Sequence, residues 1–260
     1  MIGLDFPVKP EWIHDVLRLW RPGRPIGELV QLALAETMQE LGGEKTRRNS
    51  LTVILRYFVP TAGGGGSRRT TTENVWAAYA RAYPIHTLAP AWLAQIIAHN
   101  DVAAELAGFI AGRHRPGDEL TSSEVRRFTI GRYGQRKVVT NSASAFLRTL
   151  QSFGVLEFEP RTAAYRFVTL LPVNRETFPL IVWAWWHAHP TPQVDPDAFA
   201  EDPAVALLNT GGFLDLWRSH QPGLWVLEER LDGRRAVLKH NSPTQWEGAL
   251  LSLVGQQFQT

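Results

Sequence analysis

Cysteine is absent from the 260-residue chain, so disulfide staples, thiolate metal sites and thiol nucleophiles all drop out of consideration. Without cross-links a fold of this length has to be held by its core, and 44% apolar residues provide the material for one. Long apolar runs are missing as well. The greasiest stretch, residues 178–187, falls well short of the ~20 residues that span a bilayer. The opening MIGLDFPVKPEW carries no basic leader ahead of an apolar segment. Both features lead us to expect no membrane engagement and a cytoplasmic location. A strong net charge is the third thing lacking: 27 basic against 25 acidic side chains leave only +2.

That small total hides a segregated distribution. Residues 113–170 hold ten basic and five acidic side chains, a surplus of +5, whereas residues 171–260 hold six and ten, a deficit of −4. A basic block inside an otherwise balanced chain is the electrostatic footprint of a polyanion-binding module.

Hydrophobic periodicity predicts a mainly α protein with a small β component. Residues 10–20 place Trp12, Ile13, Val16, Leu17 and Trp20 at helical spacing, and a second helix follows Pro25. After the Gly42–Gly43 break comes a basic start, Lys45, Arg47 and Arg48, leading into an apolar run that stops before Pro60. Residues 1–60 therefore read as an N-terminal helical domain. Residues 61–73, TAGGGGSRRTTTE, read as a flexible Gly-rich loop, with Thr71 or Thr72 capping the helix that follows. Further helices are expected at 75–83, 90–98 and 102–111. Residues 172–260 read as a separable acidic α/β domain rich in tryptophan. Its tryptophans are expected mostly in the core, with a protein-docking surface as the alternative.

The central segment is the most informative. In RHRPGDELTSSEVRRF, Thr121 or Ser122 caps a short helix over residues 123–130, which Gly131 and Gly134 should break. A longer helix over 136–153 then carries Val139, Ala143, Phe146, Leu150 and Phe153 at alternating spacings of four and three, one buried stripe. Lys137, Asn141, Ser144, Arg148 and Gln151 form a second stripe, polar or basic, of the composition that meets base edges and phosphates. Gly154 ends the helix, and VLEFE and YRFVTLL alternate as strands around PRTA, with Arg161 at the tip.

Helix, loop, short helix, turn, longer helix and β-hairpin is an order in which residues 102–171 resemble a winged helix-turn-helix. That resemblance implies a helix over 136–153 lying in the major groove, its first residues nearest the bases, and a wing on which Arg161 reaches a phosphate or the minor groove. The candidate DNA contacts are Arg126, Arg127, Arg132, Arg136, Lys137, Asn141, Ser144, Arg148 and Arg161. Lys45, Arg47, Arg48, Arg68 and Arg69 form a second basic group. The segments ELVQLALAETMQELGGEKTRRNSLTVILRYFV, VWAAYARAYPIHTLAPAWLAQII, ELTSSEVRRF and ASAFLRTLQSFGVL together resemble the BrxA family of helical DNA-binding proteins from BREX phage-resistance systems. This second resemblance covers the first 160 residues and implies a non-catalytic role in phage defence.

Two other readings remain open: a scaffold in which the same unit docks a protein, and a transcriptional repressor. Enzymatic readings fare worse. His187 and His189 would share a face on a strand, yet no third metal ligand is spaced to join them, so they read as packing or surface residues. GGGGSRRT lacks the Lys-Ser/Thr ending of a phosphate-cradling loop. EERLDGRRAVLKH reads as a hairpin turning at Asp232 and Gly233. No catalytic residue, metal or cofactor is assigned, and the expected partners are double-stranded DNA and a protein bound through the C-terminal region.

Overall fold

The computed structural model describes residues 4–59 and 73–257. Six helices come first: α1 (Pro10–Leu19), α2 (Ile26–Glu36), α3 (Glu44–Phe58), α4 (Val75–Ala82), α5 (Ile85–Ala98) and α6 (Asp101–Arg113). Local chemistry sets their ends. Pro10 opens α1 at a position where its missing N–H costs nothing, and Gly43, at φ 144°, supplies a backbone conformation before α3 that side-chain-bearing residues avoid. Asn74 caps α4 by accepting from the Ala77 amide at 2.9 Å. The cap is therefore Asn74, the last residue before the helix; Thr71 and Thr72 lie outside the described residues, as does the Gly-rich stretch up to Thr72.

The middle of the chain forms β1 (Glu119–Thr121), α7 (Ser122–Tyr133), α8 (Lys137–Ser152), β2 (Leu156–Glu159) and β3 (Ala164–Phe167). The three strands make an antiparallel sheet in the order β1-β3-β2, with Leu120 opposite Tyr165 and Phe158 opposite the same residue from the other side. Thr121 caps α7 through its hydroxyl, which accepts from the Glu124 amide at 3.1 Å. Gly131 does not break this helix. Three residues further on, Gly134 does, at φ 78°.

The last third contains α9 (Phe178–Ala188), β4 (Gln193–Val194), α10 (Pro196–Ala200), α11 (Phe213–Ser219), β5 (Trp225–Arg230), β6 (Gly233–Leu238) and α12 (Pro243–Gln257). A second small sheet runs β4-β6-β5, and its hairpin turns on Leu231 and Asp232, one residue earlier than expected, because Gly233 pairs with Arg230. His187 sits on a helix, so the strand on which it and His189 would have shared a face is absent there. The described residues are mainly α with two small three-stranded sheets.

The sequence divides into an N-terminal helical part (1–60), the Gly-rich loop (61–73), a helical segment leading into the winged helix (74–171) and the acidic part (172–260), but the core is shared among the described residues of the first, third and fourth. A single hydrophobic cluster runs from Leu4 to Val254. Helix α9 lies along α5, and α12 lies across α4 and α9. Trp76 of α4 meets Trp183 of α9 with ring centroids 5.3 Å apart. The Thr87 carbonyl accepts from both Asn174 Nδ2 and Thr177 Oγ1 at 3.1 Å. Residue 172 is thus no seam. Nine of the ten tryptophans are buried and Trp185 is half-buried, so they build the core and leave no Trp-rich docking face. Trp217 and Trp225, with centroids 4.5 Å apart, join Phe178, Phe199 and Phe213 in one aromatic cluster under the second sheet.

Two outcomes follow from this packing. Leu180, Ile181 and Val182 on α9 are fully buried, and each such side chain is worth about 1.5–3 kcal/mol against a whole-domain stability of about 5–15 kcal/mol. A chain ending at Leu171 should therefore lose cooperative thermal unfolding and near-UV circular dichroism; a sharp melt in that truncated chain would show the C-terminal third to be separable after all. Burial also pushes imidazoles down: His99 to about 4, with His187, His220 and His240 shifted the same way. From the ordinary 6.5 down to about 4 the unfolded chain binds more protons, so stability should be full above pH 6.5 and fall as pH drops through that window. Melting temperatures between pH 8 and 4 would check this, with His99→Gln flattening the decline.

Candidate nucleic-acid interface

Helix α8 has two faces of different character. Val139, Ala143, Phe146, Leu150 and the following Phe153 are buried, as their spacing predicts. Lys137, Asn141, Ser144, Arg148 and Gln151 are exposed on the other side. The buried face is locked by α6 and α7, which both pack on α8, and by the start of the chain, where the Val8 amide donates to Thr149 Oγ1 at 3.1 Å. The exposed face is thereby held on a fixed support.

All nine residues of the first DNA-contact set are exposed, but they differ in what they touch. Among the described residues, Arg126, Arg127, Arg136, Lys137, Arg148 and Arg161 make no ion pair with a carboxylate. Arg132 is different: its guanidinium is 2.9 Å from Glu105 of α6, which neutralises it. The Asn141 side chain makes no hydrogen bond with the described residues, so its amide is open to them in both directions. The Ser144 hydroxyl donates back to the Thr140 carbonyl at 3.1 Å and is a weaker candidate. Arg148 lies near Tyr165 on β3 and partly offsets the upward push of burial on that phenol. Arg161 stands in the turn between β2 and β3, its backbone amide donating to Glu159 at 3.2 Å while its side chain is unpaired.

The start of α8 is suited to an anion. Its first turn has no acidic residue, and Arg136 at the N-cap makes no side-chain capping bond; its carbonyl takes the Val139 amide at 3.1 Å, which leaves the Lys137 and Val138 amides without a capping side chain. Arg136 and Lys137 sit against the positive end of the helix dipole, a local cost of about 0.3–1 kcal/mol that an occupying anion would reverse. The wing is less favourable. Arg166 pairs across the sheet with Glu157 and stands opposite Glu119 on the other edge, so the sheet surface adds no positive charge.

The second basic group is separate. Helix α3 packs on α1 and α2, away from α8. Arg48 pairs with Glu44 at 2.7 Å, Arg47 donates to Gln39 at 2.7 Å, and Lys45 is exposed. Arg68 and Arg69 lie outside the described residues. Sequence reasoning overlooked Val138, which is 50% exposed within the basic turn, and a groove of about 890 Å³ between α6 and α7 where Phe109 stacks on Phe128 at 4.2 Å. Val138 could have been read from the same periodicity, since it falls off the buried stripe of α8; the groove could not, because Phe109 is itself buried.

No family model, curated protein or solved structure matches the chain. No helix among the described residues is long and apolar enough to cross a membrane.

The two faces of α8 predict opposite responses to truncation. Phe146→Ala, at a site with no exposure, should cost about 3–5 kcal/mol. Arg136→Ala combined with Lys137→Ala should change stability by no more than about 0.5 kcal/mol. Urea titrations of both variants would measure these values, and a strongly destabilised double variant would mean that the basic turn is part of the fold's support.

Proposed function

We propose that this protein binds double-stranded DNA through a winged helix made of α6, β1, α7, α8, β2 and β3. The observation that carries the reading is the set of six exposed cations without carboxylate partners among the described residues, on α7, at and along α8, and in the β2–β3 turn, together with the exposed amide of Asn141 on α8. Helix–strand–helix–helix–strand–strand, with the last strand in the middle of the sheet, is the order of winged helices and supports the same reading. In this arrangement α8 enters the major groove N-terminus first, Arg136 and Lys137 meet phosphates, Asn141 reads an adenine edge, and Arg161 reaches a flanking phosphate. The role assigned is non-catalytic DNA binding in the cytoplasm, within a phage-defence assembly of the kind the BrxA resemblance implies. Repression of transcription is the variant of this reading in which the site is an operator.

A second reading has its own observation. Val138, Phe158 and Val168 are apolar and at least 38% exposed, which suits a protein partner better than a phosphate backbone. In that case the same unit is a scaffold.

Gel shifts at several salt concentrations separate the two. Each neutralised phosphate contributes about 0.9 to the slope of log affinity against log salt, so Arg136→Ala with Lys137→Ala should reduce the slope by about 1.8. Asn141→Ala should cost about 1–3 kcal/mol on the preferred site and little on random DNA. Unchanged DNA affinity in the double variant would remove the recognition helix and leave the scaffold.

A further inference from the structure

The strand register sorts the side chains of the wing onto two faces. Glu119, Arg166 and Glu157 stand opposite one another across β1, β3 and β2, so they share one face, and Glu159, two residues after Glu157, belongs to it as well. Leu120, Tyr165 and Phe158 likewise stand opposite one another and share the other face with Leu156 and Phe167. Leu120, Leu156, Tyr165 and Phe167 are buried, and β2 packs on α8, so this second face is the one turned toward the helix. Phe158, at its outer end, is 38% exposed. The acids of the wing are thus turned away from α8, and α8 itself, KVVTNSASAFLRTLQS, contains no acidic residue.

Phe158 is held in place. Its ring lies 5.2 Å from that of Tyr165 at an interplanar angle of 58°, and Tyr165 is buried on the central strand. Two exposed cations without carboxylate partners among the described residues belong to the same neighbourhood. Arg148 of α8 lies close to Tyr165, and Arg161 stands in the turn three residues beyond Phe158.

This combination narrows the nucleic acid that fits. Phosphates pair with cations but do not cover a phenyl ring. An intact duplex shows only the edges of its bases in the grooves, since their faces are stacked on one another. A base offers its face only where pairing stops, and there its own strand carries a phosphate on either side. Stacking of bases on aromatic rings beside a basic track is the way proteins hold single strands. We propose that Phe158 is a stacking ledge for an unpaired base, so that the basic face takes a duplex that continues into a single strand. The duplex lies on α8, the first unpaired base stacks on Phe158, and Arg148 and Arg161 take phosphates next to it. This rests on the DNA-binding reading above and narrows its ligand.

Fluorescence anisotropy on the full chain would test it with a blunt duplex, the same duplex carrying a short single-stranded extension at its 5′ or its 3′ end, and the single strand alone. An extension of one polarity should tighten binding about tenfold over the blunt duplex. Phe158→Ala should bring the extended duplex down to the blunt level, and Phe158→Trp should keep the preference. Phe158→Leu retains apolar bulk without a π face and should lose it, which keeps the test decisive if the alanine variant does not fold. Leu231→Ala, at a fully exposed apolar position in the β5–β6 turn, should leave the preference unchanged. Equal affinity for blunt and extended duplexes, a preference that survives Phe158→Leu, or a single strand that binds as tightly as the extended duplex would overturn the ledge and leave the DNA-binding reading standing. Failure of every probe to bind would overturn both.

Discussion

Everything in this molecule is arranged around one helix that cannot face water. Residues 88–97 of α5 are all buried, so the helix has no polar side and has to be wrapped. Helices α1, α4, α6 and α9 provide the wrapping. Two of these come from the first hundred residues, one begins the basic unit and one belongs to the acidic third. Charge is therefore segregated along the sequence while the core is shared, and the division seen in composition is a division of surface only.

The link between the core and the basic face is α6. It leaves α5 after Asn100, whose side chain caps α6 through the Ala103 amide and also donates to the Tyr57 hydroxyl. One asparagine thus joins α3, through Tyr57, to the first helix of the basic unit. From α6 the packing continues to α7 and α8.

Much of the fold was legible because it rests on local rules. The stripe from Val139 to Phe153, the Thr121 cap and the Gly154 stop each depend on residues within a few positions of one another, and each was readable in the sequence. Errors occurred where distant residues decide. Gly131 stays helical because α7 is held by α8 and β1. Strand β1 has three residues and exists only because β3 is there to pair with it. The packing of α9 on α5 has no signature beyond apolar composition. Within the candidate interface, exposure was foreseeable but the Arg132–Glu105 pair was not, since its partners are 27 positions apart. A pocket of about 230 Å³ lined by Tyr57, His99, Trp183 and Glu247 was invisible for the same reason: five helices contribute to it, and no spacing in the sequence groups those residues.

The Thr149 hydroxyl accepts from the Val8 amide and donates to the Ala145 carbonyl at 3.0 Å, fully buried. Its two bonds run in opposite directions, so serine could replace it and valine could not. The Val8 amide is thereby shielded by a helix 141 positions away. Its exchange with solvent deuterium requires the segment before α1 to leave α8, making this one amide a spectroscopic gauge of how firmly the exposed basic helix is seated.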